Sequence, residues 1–189
     1  MGNFYKNPEV DWDVQEVSEA CEQGDAFKVK HILDKGQLDI NRQYFASKTF
    51  LHNSMEHNRH NVVSTLLSYP HLQLDVTEGS CGRTPLHEAC LYNSPTVIPL
   101  FCADRRCNPG IVNARSERGE TALMVAVTEG HLDCVQEMAK IKEVDVSIKN
   151  NDGKTPMEVA KETNHKQIVE CLEKIFSSAK TQQVFYNLF

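Results

Sequence analysis

The chain has 189 residues, 40% of them hydrophobic and 24% charged, with a formal net charge of −6 at pH 7. That composition suits a globular chain with a buried core, and it excludes low-complexity and membrane-spanning classes, because no apolar run approaches the roughly 20 residues a span requires. The acidic balance argues against the attraction to phosphate that sustains nucleic-acid binding, and the 7 cysteines, odd in number and without C-x-x-C spacing, argue against a disulfide framework or zinc ribbon.

Residues 1–12, MGNFYKNPEVDW, form a lead-in without the basic region and apolar stretch of a secretory signal. The expected compartment is therefore the cytosol or nucleus, and unpaired cysteines serving as small hydrophobes suit that reducing environment. Gly2 occupies the place of an acylated glycine, but Lys6 stands where the lipidation pattern wants Ser or Thr. Trp12 is expected to cover the open end of the core.

From residue 13 onward the chain repeats itself. The unit at 13–41 contains VQEVSEACEQG (14–24), and the unit at 42–76 contains KTFLHNSMEHN (48–58). RTPLHEACLYN (83–93) lies in 77–113, ETALMVAVTEG (120–130) in 114–146 and KTPMEVAKETN (154–164) in 147–175. The last four superimpose without gaps, and the first is a weaker copy. Thr49, Thr84, Thr121 and Thr155 are 35, 37 and 34 residues apart, and Gln15 takes the threonine's place 34 residues before Thr49. Periods of this length mark a solenoid, in which each unit depends on its neighbours to bury an apolar face.

Each threonine can cap the helix it starts. Pro85 and Pro156 follow at the position where a missing N–H costs nothing. Ala20, Ser54, Ala89, Ala126 and Ala160 then keep the facing surface small. Gly24, Asn58, Asn93, Gly130 and Asn164 can end the first helix in a left-handed conformation. A second helix follows, with apolar positions such as Val29, Ile32 and Leu33, or Val63, Leu66 and Leu67, or Val135 and Met138.

Three departures stand out. Phe50 and Asn53-Ser54 predict a less regular second unit. Pro99 falls inside the second helix of the third unit and predicts a short or kinked one. The joint CADRRCNPGIVNARSERG (102–119) predicts a longer loop. The fifth unit reads as a C-terminal cap, with Lys161, Lys166, Gln167, Glu170, Glu173 and Lys174 on its outer face. In the tail FSSAKTQQVFYNLF (176–189), the apolar residues suit either a segment that folds back on the stack or the start of a further region.

GRTPLHEAC (82–90), GETALMVAVTEGHLDCV (119–135) and DGKTPMEVA (152–160) resemble the ankyrin repeat, and the resemblance covers about residues 13–175. It implies an all-α solenoid of five stacked helix-turn-helix repeats with projecting loops. It further implies a concave surface of loop tips and inner helices that binds a protein or peptide partner and performs no chemistry. The alternative is a targeting arm of a larger multidomain enzyme, such as a ubiquitin ligase or kinase. The chain is expected to be a monomer, with neither nucleic acid nor membrane as partner.

In the family the variable, partner-facing positions lie just before each threonine, at the loop tip and at the end of the inner helix. In this chain they fall on Gln43, Phe45 and Lys48, then Glu78, Ser80, Cys81, Arg83, Leu91 and Tyr92. The series continues through Arg115, Glu117, Arg118, Glu120 and Glu129 to Asp152 and Lys154. Interface anchors are enriched in Tyr, Trp and Arg, which favours Phe45, Tyr92, Arg83 and Arg118 as central contacts. Asn41, closing LDKGQLDIN (33–41), is similar to asparaginyl hydroxylation sites of ankyrin repeats; its other reading is a loop hydrogen bond.

Nothing points to a catalytic, metal or cofactor site. His52 and His87 have no second ligand at metal spacing, and the resemblance gives that histidine the role of a spacer between its helix start and the adjacent loop. There is no G-x-S-x-G elbow, and DGKT (152–155) lacks the upstream glycine of a phosphate loop. Glu117 and Glu120 read as solvated loop charges.

Overall fold

The computed structural model describes residues 8–44 and 47–174. In these there are eleven helices and no strand. Five inner helices, α1 (Pro8–Gln23), α3 (Phe50–Glu56), α5 (Pro85–Leu91), α8 (Ala122–Glu129) and α10 (Pro156–Glu162), pack side by side. Behind them run the outer helices α2 (Ala26–Leu33), α4 (His60–Leu67), α6 (Val97–Cys102), α9 (Leu132–Ala139) and α11 (166–174). A short extra helix, α7 (Pro109–Val112), sits in the long joint.

Local chemistry starts and stops the inner helices where the repeat pattern predicts. Thr49, Thr121 and Thr155 accept from the backbone N–H three residues on, at 3.4, 3.3 and 3.4 Å. The five residues Gly24, Asn58, Asn93, Gly130 and Asn164 all have positive φ, between 53° and 84°, the left-handed region that glycine and asparagine tolerate. All five small residues are buried to 1% exposure or less. Burial on that scale lets neighbouring helices approach closely and carries the apolar core from Val17 to Leu172.

After the last four of these left-handed residues, the next side chain reaches back one repeat. Arg59 donates to the Glu22 carbonyl at 2.6 Å and Ser94 to the Glu56 carbonyl at 2.8 Å. His131 and His165 bond the Cys90 and Val127 carbonyls, each at 2.9 Å. Three different residue types thus satisfy the same need, the orphaned carbonyls at the inner-helix ends.

Several expectations change. Helix α1 begins at Pro8, so the boundary drawn at residue 13 falls inside it, and Gln15 is a mid-helix residue bonded to Glu19 rather than a cap. Trp12 is 68% exposed and does not cover the core, because the helical register turns Val14, Val17 and Cys21 inward instead. The second repeat is as regular as its neighbours. Phe50 is buried and stacks on Tyr44 at 4.9 Å, Ser54 donates to the Phe50 carbonyl at 2.8 Å, and Asn53 reaches the Ser18 carbonyl at 3.2 Å. Helix α6 is short, 6 residues, and Pro99 lies in its first turn, where no N–H is required. The joint is not simply loop, since Asn108 caps α7 through the N–H groups of Gly110 and Ile111.

Candidate functional site

Four fingers, called second to fifth after the repeats they open, project between the helix pairs. Each is closed at its base by one backbone bond: Tyr44 N–H to the Lys48 carbonyl (3.0 Å), Glu78 to Arg83 (2.7 Å), Ser116 to Glu120 (2.9 Å) and Asn150 to Lys154 (2.9 Å). Adjacent fingers are tied together, Glu117 N–H to the Cys81 carbonyl at 2.9 Å and Asn151 N–H to the Arg118 carbonyl at 3.1 Å. The row of tips is therefore a preorganised surface.

The third finger is one residue longer than the fourth and fifth, and a buried carboxylate holds it. Glu78, 4% exposed, accepts from the N–H groups of Ser80 (2.8 Å) and Cys81 (2.6 Å) and from the Ser80 hydroxyl. Burial alone would raise its pKa, but these donors outweigh it and hold the group at about 2. The sequence pattern puts Glu78 among the partner-facing positions, but its burial and its bonds to Ser80 and Cys81 make it an internal anchor of the finger.

Histidines tie finger to helix. In His52 and His87 the Nδ1 atom accepts from the threonine N–H three residues earlier, 3.2 Å in each case. That leaves Nε2–H to donate to the Arg83 carbonyl at 3.2 Å and the Glu120 carbonyl at 2.9 Å, one repeat on. Burial of the rings pushes both pKa values down to about 4, so both are neutral spacers. Among the described residues no group of three or more metal-ligating side chains comes together.

Besides Glu78, the main predicted contact residues divide into two sets. Four are engaged internally. Lys48 is held by Glu56 at 2.7 Å and Glu88 at 2.5 Å and lies 5.3 Å above the Tyr92 ring; burial would lower its pKa, yet the two carboxylates raise it. Ser80 serves Glu78. Arg115 turns into its own finger, donating to the Gly119 carbonyl at 3.0 Å and the Asn151 side chain at 3.2 Å. Lys154 pairs with Glu162 at 2.6 Å.

The other set faces outward from a shared surface. Arg83, Glu117, Arg118, Glu120, Glu129 and Asp152 carry no side-chain bond or ion pair among the described residues. Tyr92 is 49% exposed at the end of α5, next to the half-buried Leu91. Glu117, Arg118, Glu120 and Asp152 line a cleft of about 430 Å³ between the fourth and fifth fingers. Phe45 lies outside the described residues. Asn41 is away from this surface, where its side chain donates to the His71 carbonyl and accepts from Gln73 N–H, both at 2.8 Å. That is the loop hydrogen bond named as its second reading.

Arg106 is a residue whose role the sequence did not show. Its guanidinium donates to the Leu67 and Tyr69 carbonyls at 2.7 Å and the Leu72 carbonyl at 3.2 Å, and it pairs with Asp104 at 2.8 Å. It is spent on sealing the end of α4.

A family model described as ankyrin repeats (3 copies) matches residues 17–113 and 99–181. The chain belongs to the ankyrin repeat family, whose members are protein–protein interaction modules and in general non-catalytic. It is 43% identical over 63 residues to the ankyrin repeat-containing protein ITN1 of Arabidopsis thaliana, a match covering 33% of this chain and 11% of that protein. It is 34% identical over 95 residues to human ankyrin repeat domain-containing protein 63, covering 50% of this chain and 25% of that one. Human ankyrin repeat and SOCS box protein 2 is 34% identical over 70 residues, 36% of this chain and 11% of that protein. The matches thus span between about a tenth and a quarter of these relatives' lengths. No helix among the described residues is long and apolar enough to cross a membrane.

Proposed function

We propose that the chain is a non-catalytic adaptor or inhibitor that binds a protein or peptide along the concave face of finger tips and inner-helix ends. The observation that carries this reading is Tyr92. A large aromatic ring is left 49% exposed in the middle of a row whose neighbouring helices bury their apolar side chains almost completely, and such rings anchor interfaces. Further along the row, the unpaired charges Arg118, Glu117, Glu129 and Asp152 tune specificity and on-rate.

The test is affinity purification from the source cell, with a Tyr92→Ala/Arg118→Glu double variant as control. Specific partners should be lost from the variant, while its Tm stays within a few degrees of the parent, as expected for exposed substitutions. Retention of the same partners at equal yield would remove this surface from consideration.

A second reading makes the array the substrate-recruiting arm of a larger enzyme. The short share of each relative that it matches favours this, one of those relatives being named for a SOCS box. A transcript continuing past Phe189 into a catalytic or ligase-recruiting region would support it, and a stop codon directly after Phe189 would end it.

A further inference from the structure

The residue just before each threonine and the residue seven after it face one another across the concave surface. In the second repeat these are Lys48 and Glu56, paired at 2.7 Å; in the fifth they are Lys154 and Glu162, paired at 2.6 Å. The two central repeats break the pattern. Arg83 has Leu91 in the facing position and Glu120 has Thr128, so neither charge is neutralised within its own repeat. They do not neutralise each other either: no ion pair joins them. Arg83 is moreover partly buried, with Nε sealed from solvent and without a hydrogen-bond partner. An orphaned buried donor on a cation is costly and calls for an explanation.

We propose that Arg83 and Glu120 together recognise an extended segment of a partner protein that carries an acidic residue on Arg83 and a basic residue on Glu120. The inference rests on the concave-face reading above and adds the partner's chemistry to it. The two positions are equivalent sites of adjacent repeats, joined by the His87 to Glu120 bond and by the packing of α5 on α8. Adjacent packed helices lie about 8–10 Å apart. An extended chain advances about 3.3 Å per residue, which puts the partner's acid and base about three positions apart. Leu91 faces Arg83 in the pairing register, and together with the exposed ring of Tyr92 at the end of α5 it offers an apolar wall, which would exclude water from the arginine–carboxylate pair and favours a large apolar side chain beside the partner's acid.

The experiment is selection of a displayed library of random 12-residue peptides on the immobilised full chain, with melting curves verifying that each variant is folded. The wild type should enrich peptides with Asp or Glu and Lys or Arg about three positions apart. Arg83→Glu should instead enrich two basic residues at that spacing, and Glu120→Arg two acidic ones. The leading wild-type peptide should bind Arg83→Glu about tenfold or more weakly, the scale of a desolvated charge pair turned repulsive. If Arg83→Glu does not fold, Arg83→Gln should abolish the acidic preference alone.

Peptides that need Tyr92 but show no acid–base pattern, and bind the charge variants equally, would overturn this inference and leave the concave-face reading standing. Peptides indifferent to Tyr92→Ala, Arg118→Glu and Arg83→Glu alike, or no enrichment over the bare matrix, would overturn both.

Discussion

His87 donates from Nε2 to the carbonyl of Glu120, 2.9 Å away in the next repeat, because its Nδ1 is already an acceptor for the Thr84 N–H at 3.2 Å. The Thr84 N–H bond exists only while the ring is neutral, because a protonated Nδ1 cannot accept, and burial keeps it so down to a pH of about 4. His52 repeats the arrangement with Thr49 and Arg83.

Acid should therefore weaken the fold through these rings. Their pKa is about 4 in the folded chain against 6.5 for the ordinary imidazole, so between those values the unfolded chain binds protons that the native one refuses. Stability is unaffected above pH 6.5 and falls as pH drops toward 4. At pH 5 the loss is about 2 kcal/mol per histidine. Urea unfolding at pH 7 and pH 5 reads it directly, and His87→Gln should roughly halve the difference. An unchanged difference in that variant would show that the ring does not carry it.

Glu78 titrates in the opposite sense and in a separate window. Its pKa is depressed from 4.5 to about 2, so its contribution is complete above about pH 4.5 and is lost as pH falls toward 2. Glu78→Gln should cost about 2 kcal/mol at pH 7, since a neutral amide replaces a carboxylate that accepts from N–H and O–H donors. The gap between variant and parent should close near pH 2. A variant equally destabilised at both pH values would mean that shape, not charge, holds the third finger.

Much of this was legible in the sequence because repetition writes each physical requirement four or five times. The threonine caps, the small residues from Ala20 to Ala160 and the left-handed positions from Gly24 to Asn164 all occur at fixed offsets, so one weak copy is corrected by four others. What was not legible occurs once. Trp12 was misplaced because the start of α1 at Pro8 has no counterpart in the other repeats. Helix α7 was hidden in a joint that has no sibling. Of the contact residues, Lys48, Ser80 and Arg115 look like free surface charges or hydroxyls until the fold places acceptors beside them, which are Glu56 and Glu88, Glu78, and the Gly119 carbonyl with Asn151.

Arg106 is the sharpest such case and can be tested alone. Removing its guanidinium by Arg106→Ala strands the carbonyls of Leu67, Tyr69 and Leu72 at the end of α4. We expect a loss of about 2–3 kcal/mol, and little rescue by Arg106→Lys, because an ammonium cannot span three carbonyls and the Asp104 carboxylate in one plane. Equilibrium unfolding of the two variants decides it. Lysine restoring full stability would reduce the arginine to a simple counter-charge.

Rigidity of the finger row can be separated from backbone preference by comparing two glycines. Gly119 and Gly153 both have positive φ, +73° and +76°, so an alanine at either site bears a left-handed penalty of about 1 kcal/mol. Their surroundings differ. A Cβ on Gly153 meets nothing within 4 Å, whereas one on Gly119 would sit 2.9 Å from the Asn151 backbone nitrogen and collide with the Asn151 and Arg115 side chains. Those atoms form the seam between the fourth and fifth fingers, where Asn151 also donates to the Glu117 carbonyl at 2.8 Å. Gly153→Ala should thus cost about 1 kcal/mol and leave partner binding intact. Gly119→Ala should cost about 3 kcal/mol, as a close contact forces the backbone to shift, and should also weaken binding, because it disorders the surface that presents Glu117 and Arg118. Denaturant unfolding gives the first pair of values, and titration with a peptide selected on the wild type gives the second. Equal losses for the two variants would show that the seam contributes nothing beyond the torsional penalty.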